Sequence, residues 1–289
     1  MMPFFMINFY QFNDSTLKLS EQSVSIESRG LRYGEGVFET MKLINNSIPL
    51  YDFHMERFFS GMEVLQLKPP PFYNPQKIKK FIAELCRKNN CADSARVRLS
   101  CIGSNGGVWD KQDQFADIII QSWKLPENYH ELNSNGLVVD ICEDIRKSTD
   151  LLSNLKSNNY LPYLYASNKG KELKVNDMIL LNHLGHLVDS TIANVFIAKD
   201  GKIYTPPLKD GPVAGVMRRN LLNLIPAAGI SVTEVSLTPQ DLLEADELFL
   251  TNAMYGLRWV QRFREKIYTD RIAQKIYQLI RQQIEQDLV

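Results

Sequence analysis

Excess charge of either sign is missing from this chain. Its 33 Lys and Arg are matched by 33 Asp and Glu, and no long basic run occurs, so neither nucleic acid nor an anionic membrane surface is indicated as a partner. Cysteine is scarce. Cys86, Cys91, Cys101 and Cys142 form no C-x-x-C pair, which argues against a zinc site or redox dithiol and for reduced, buried thiols. No stretch approaches the roughly 20 apolar residues of a membrane span. The opening MMPFFMINFYQF lacks the basic region and long apolar run of a secretory leader, so a cytoplasmic protein is expected. His183 and His186, in NHLGH, have no third ligand nearby and read as solvent-exposed turn histidines, with no metal expected. There is no internal repeat and no low-complexity tract.

What is present fits a globular protein of two domains or one large one: 289 residues, of which 44% are hydrophobic. The first half alternates strands and helices. Val37 to Ile44 and Ile48 to Tyr51 read as strands around Asn45-Asn46-Ser47, a hairpin candidate. Phe53 to Leu67 reads as a helix, with Phe58, Phe59, Met62 and Leu65 at helical spacing. Asn74-Pro75 opens a second helix through Asn89, and Arg96 to Ile102 and Ala116 to Trp123 read as strands. The polar stretch at 126–136 is the linker candidate, dividing an α/β domain at 1–125 from another at 137–289. Beyond it come strands at Leu137–Ile141, Met178–Asn182, Val195–Ala198 and Glu247–Thr251, with an Asp200-Gly201 hairpin turn. Helices are expected after Lys156 with Pro162 in the first turn, over Val216–Leu224, after Thr238-Pro239, and at the C-terminus.

Four short stretches carry the chemistry. NLKSNNYL spans 154–161, and VDSTIANVFIAKDGKIYTP spans 188–206. HMERFFS lies at 54–60, and GPVAGVMRR at 211–219 is a Gly/Pro loop entering a helix. Composition singles out none of them: alone, Lys156 reads as a surface lysine, Asp189 as a turn acid and Arg57 as an exposed helix arginine. Together, and with RGLRYGEGVFET (29–40), SNGGVWD (104–110) and TNAMYGLRWV (251–260), they resemble the class IV aminotransferase family from about residue 5 to about residue 265. That family includes branched-chain and D-amino-acid aminotransferases and 4-amino-4-deoxychorismate lyase.

The resemblance implies a two-domain α/β (α+β) fold, that of the fold-type IV pyridoxal phosphate enzymes such as D-amino-acid aminotransferase, with the cofactor lysine in the C-terminal domain. It implies pyridoxal 5′-phosphate as cofactor. Lys156 would carry it as a Schiff base and move the substrate's α-proton. Asp189 would hold the ring nitrogen, where the family usually has a glutamate, one methylene longer. The phosphate would meet Arg57, the backbone N–H groups of Val216 and Met217 at a helix start, and Thr251 and Asn252. Tyr160 would contact the ring hydroxyl. Tyr33, Glu39 and Arg98 are candidates for the substrate; Ile102 stands where many relatives carry an arginine. Partners implied are a small-molecule amino substrate and a second copy of the chain in a homodimer.

The motifs GEGVFET and TNAMYG are more like the lyase, which makes 4-aminobenzoate and pyruvate, an activity of folate biosynthesis. An aminotransferase is the alternative, and a non-catalytic binding protein on the same fold is a remote one.

Overall fold

The computed structural model describes residues 8–21, 24–110, 115–126 and 131–287. Two compact units emerge: Met1–Glu127 with Lys156–Asn159 and Asp287–Val289, and Asn128–Leu155 with Tyr160–Gln286. Both mix helices and sheet. Residues 127–130 of the expected linker lie outside the described residues.

In the first unit, strands β1 (Phe9–Phe12), β2 (Ser15–Lys18), β3 (Gly36–Ile44), β4 (Ser94–Ile102) and β5 (Asp117–Lys124) form an antiparallel sheet in the order β2-β1-β5-β4-β3. Strand β4 buries Ala95, Val97, Leu99 and Cys101 at every second position, the period expected of a strand with one face on the core. These side chains share a core with Phe58 and Met62 of α2 (Tyr51–Val64) and Ile78 and Ile82 of α3 (Pro75–Lys88). Helix α3 starts where expected: Asn74 caps it by accepting the Lys77 N–H at 2.9 Å. The strand expected at Ile48–Tyr51 is absent. Ile44 and Ser47 close a tight turn through two 2.8 Å backbone bonds, Pro49 has no N–H to extend a ladder, and Leu50 turns left-handed (φ +58°) straight into α2.

The second unit is built on β6 (Leu137–Lys147), β7 (Asp177–Asn182), β8 (Leu187–Ser190), β9 (Asn194–Lys199), β10 (Lys202–Thr205), β11 (Val232–Glu234), β12 (Glu247–Asn252), β13 (Gly256–Phe263) and β14 (Lys266–Ile267). Their order is β11-β10-β9-β12-β13-β6-β7-β8, with β14 on β13. Strand β8 then returns to β9 through the rung Asp189↔Asn194, so six strands close on themselves and lose their edges. Asp200 (φ +52°) and Gly201 (φ +73°) make the expected turn between β9 and β10. Helix α4 (Leu161–Glu172) takes Pro162 in its first turn, where a missing N–H costs nothing. Helix α5 (Val216–Ala227) follows the Gly/Pro loop, Thr238 and Asp241 form a capping box at α6 (Pro239–Glu244), and α7 (Arg271–Asp287) is the last helix. All four cysteines are buried free thiols. No described helix is long and apolar enough to cross a membrane.

Candidate active site

Strand β3 lies at the edge of its sheet, and the chain around Lys156 occupies that edge. The Phe38 N–H donates to the Lys156 carbonyl at 2.9 Å, and the Asn158 N–H donates to the Gly36 carbonyl at 2.9 Å. Lys156–Asn159 groups with the first unit, and these bonds use the free edge of β3. They also explain the glycine before VFET. A Cβ on Gly36 would lie 2.6 Å from the Cys101 carbonyl, too close for any side chain. The Lys156 ammonium lies 4.6 Å from the centre of the Phe38 ring, and the Arg98 guanidinium lies 3.8 Å from it, both as cation–π contacts. Arg98 also donates to Ser100 Oγ at 3.3 Å. Tyr33 ends α1 (Arg29–Tyr33) and is half exposed.

Arg57 reaches Glu39 with two parallel bonds, Nε to Oε1 at 2.7 Å and Nη2 to Oε2 at 2.6 Å. His54 Nδ1 meets Oε2 at 2.7 Å. Glu39 is fully enclosed, and burial alone would raise its pKa. The Arg57 charge and the His54 contacts override burial and hold it at about 2. Burial in turn pushes the His54 imidazole down, against the pull of Glu39. Both Glu39 oxygens are thus engaged, by Arg57 and His54. The segments RGLRYGEG and SNGGVWD come together as well. Arg29 grips Glu35 (2.8 and 2.9 Å), and its backbone N–H donates to the Ser104 carbonyl at 2.8 Å. Ile102 is buried opposite Gly36.

In the second unit the strand register gathers the remaining motifs. Asp189 pairs with Asn194 across β8 and β9, and Asn194 pairs with Thr251 across β9 and β12. Asp189, Asn194 and the distant Thr251 thus stand in one row across three strands. Asp189 is buried. Its Oδ2 accepts from Val213 N–H (3.0 Å), Tyr163 OH (3.0 Å) and Lys147 Nζ (3.2 Å), whereas Oδ1 has no hydrogen-bond partner. Thr251 is fully buried and its hydroxyl is likewise unpartnered. Asn194 donates to the Val213 carbonyl at 2.9 Å, and its Oδ1 fills the space a Cβ on Gly215 would need. Gly215 is the N-cap of α5, with no capping side chain and no acid in the first turn, so the N–H groups of Val216 and Met217 meet an open, positive helix end. A Gly215→Ala substitution is expected to displace the Asn194 amide and destabilise the protein by about 1–3 kcal/mol, as read by equilibrium denaturation.

Pyridoxal phosphate demands an amine for its aldehyde, an acid for its ring nitrogen and donors for its phosphate. The residues present fit. An orphaned buried carboxylate oxygen answers the pyridinium N–H, since leaving such a group unpaired costs about 1–3 kcal/mol or more. The uncapped start of α5 and the Thr251 hydroxyl answer the phosphate. Asn252 is spent elsewhere: its Oδ1 accepts from Met254 and Tyr255 N–H (2.9 and 3.1 Å) and its amide donates to the Ile192 carbonyl at 3.2 Å, so its side chain builds a turn. Tyr160 donates to the Thr191 carbonyl at 2.9 Å.

Lys147 and Tyr163 were not expected at this site. The i, i+3 pair Tyr160 and Tyr163, whose tilted rings lie 4.7 Å apart, is a helical signal that points to a shared face. Lys147, at the far end of a long strand, carried none. His186 is partly buried rather than an open turn residue, with Nδ1 3.5 Å from Asp210 Oδ1; the Leu208–Asp210 turn covers it.

Residues 36–263 match the family described as amino-transferase class IV. The aminodeoxychorismate lyase of Vibrio harveyi is 28% identical over 239 residues, covering 83% of this chain and 87% of that protein. The aminodeoxychorismate lyase of Bacillus subtilis is 32% identical over 231 residues, covering 78% and 76%. The crystal structure of branched-chain aminotransferase from Thermoproteus uzoniensis with norvaline superposes with a TM-score of 0.87 at 24% identity, over 96% of this chain and 94% of that one.

Proposed function

Because this chain belongs to the class IV amino-transferase family, whose enzymes work with pyridoxal phosphate, we propose that it is a lyase converting 4-amino-4-deoxychorismate to 4-aminobenzoate and pyruvate. What carries this reading is that two of the relatives named above, matched over about four-fifths of the chain, are aminodeoxychorismate lyases, one at 32% identity. The GEGVFET and TNAMYG stretches agree with it.

When bound, the cofactor supplies a sink for the electron pair released as the substrate's α-proton leaves. Lys156 would hold it and would serve as the base that takes that proton. Pyruvate departs as the carbocycle becomes aromatic. Asp189 would hold the ring nitrogen, and Val216, Met217, Thr251 and Arg57 would bind the phosphate. Arg98, over the same Phe38 ring as the lysine amine, is the carboxylate anchor, and Tyr33 is a second substrate contact. Exposed Leu151, Leu152, Leu161 and Leu164 support a homodimer as the assembly, and four free thiols support a reducing, cytoplasmic compartment.

The test is a single turnover of the cofactor-loaded enzyme with 4-amino-4-deoxychorismate, followed by assay of pyruvate and 4-aminobenzoate. In parallel, L- and D-amino acids are offered and amino transfer to the cofactor is read by absorbance. Stoichiometric pyruvate with unchanged cofactor is expected. Amino transfer from a branched-chain or D-amino acid, with no pyruvate, makes the protein an aminotransferase working between an amino acid and a 2-oxo acid with the same lysine and acid.

A further inference from the structure

Asp189 does the work of a longer residue, and two side chains outside the expected site are arranged around it. Lys147 and Asp189 are a buried ion pair, with side-chain exposures of 8% and 3%. The Lys147 ammonium donates both to the Tyr163 hydroxyl and to Asp189 Oδ2. Burial first, and then the Asp189 carboxylate, push the Tyr163 phenol well above its ordinary pKa, so it keeps its proton and donates to the same Oδ2. With Val213 N–H, three donors converge on one oxygen. The other oxygen is left for a single incoming donor.

We propose that Lys147, with Tyr163, is the positioning pair that allows an aspartate to serve the ring nitrogen: it pins Oδ2, presents Oδ1 alone, and biases the proton shared between Oδ1 and the ring toward the ring. The bias follows from distance. Lys147 touches the carboxylate itself, at Oδ2, whereas a ring nitrogen would be met by the other oxygen, Oδ1. A nearby positive charge therefore stabilises the carboxylate more than it opposes the protonated ring. Without Lys147 the ring nitrogen would hold its proton less well, and the ring would become a weaker electron acceptor. This inference rests on the reading of Asp189 as the ring-nitrogen acid.

The experiment uses the holoenzyme loaded with pyridoxal phosphate carrying 15N in the ring, and reads the ring-nitrogen chemical shift at neutral pH. The wild type is expected to show a protonated ring nitrogen. Lys147→Met, close in volume and uncharged, is expected to move the signal toward that of an unprotonated pyridine, and Lys147→Arg to restore it. A merely structural role moves stability but not this signal. Asp189→Asn separates the two ideas. If it shifts the signal and Lys147→Met does not, the role of Lys147 is overturned and the Asp189 assignment stands. If Asp189→Asn leaves the signal unchanged, both fall. Should Lys147→Met fail to fold, Tyr163→Phe carries the test, since it removes one donor from Oδ2; a signal that stays at the wild-type position then overturns the inference.

Discussion

Replacing Lys156 by alanine is expected to abolish the colour of the bound cofactor and lower turnover on the order of 10⁴-fold, the upper range for losing a positioned acid–base group. The fold is expected to survive. The segment is held by backbone bonds, Phe38 N–H to the Lys156 carbonyl and Asn158 N–H to the Gly36 carbonyl, which alanine keeps. The side chain's contact with the Phe38 ring is worth about 0.5–1 kcal/mol at a partly exposed site. Absorbance after exhaustive dialysis, set beside a denaturation curve, measures both halves. A Lys156→Ala protein that keeps its cofactor spectrum and turnover would falsify the assignment of this lysine.

The second large effect belongs to Arg57. Arg57→Ala leaves the Glu39 carboxylate buried with His54 as its remaining partner, and breaking a buried pair in this way costs about 3–5 kcal/mol. The pH dependence identifies the cause. Glu39 is depressed from an ordinary 4.5 to about 2, so the folded state holds fewer protons than the unfolded chain between those values. Its contribution is present above pH 4.5 and lost as pH falls toward 2. About 2.5 pKa units correspond to roughly 3 kcal/mol. His54 is also depressed, by burial, so it acts in the same direction and its share begins to fade below its ordinary value of 6.5. Wild-type stability is therefore expected to fall on acidification, most steeply between pH 4.5 and 2. In Arg57→Ala the loss from Glu39 should already occur at higher pH, because burial now outweighs the one partner left. Denaturation midpoints across a pH series measure this; parallel curves for the two proteins would show that the ion pair is not the origin.

The two clusters were legible to different degrees. HMER lies in the stretch Phe53 to Leu67 that reads as a helix, and Glu39 lies in the stretch Val37 to Ile44 that reads as a strand. Both patterns are local, and both elements formed. That Glu39 would anchor His54 and Arg57 was not legible, because it depends on β3 packing under α2, a contact between positions 15 and 18 residues apart. Likewise the asparagine of TIANVF was readable as part of a motif, but its task was not. In the structure it holds the 213–215 loop that delivers the N–H groups of α5.

By itself the sequence determined the elements whose rules are short-ranged: the Asn74 cap, the Asp200-Gly201 turn, the capping box at Thr238, Pro162 in a first helical turn, and the resemblance that names the cofactor. Side-chain periodicity and backbone preferences act over a few residues, so they are written in order along the chain. Only the tertiary structure decided that Lys156–Asn159 fills the edge of β3, that Asp189, Asn194 and Thr251 share one row, and that Lys147 reaches across 42 residues of sequence to the same carboxylate oxygen as Tyr163. Those facts follow from which strands pair and in what register. A one-residue slip in register would turn each of these side chains to the other face, so they are fixed by closure of the sheet and not by any local run of residues.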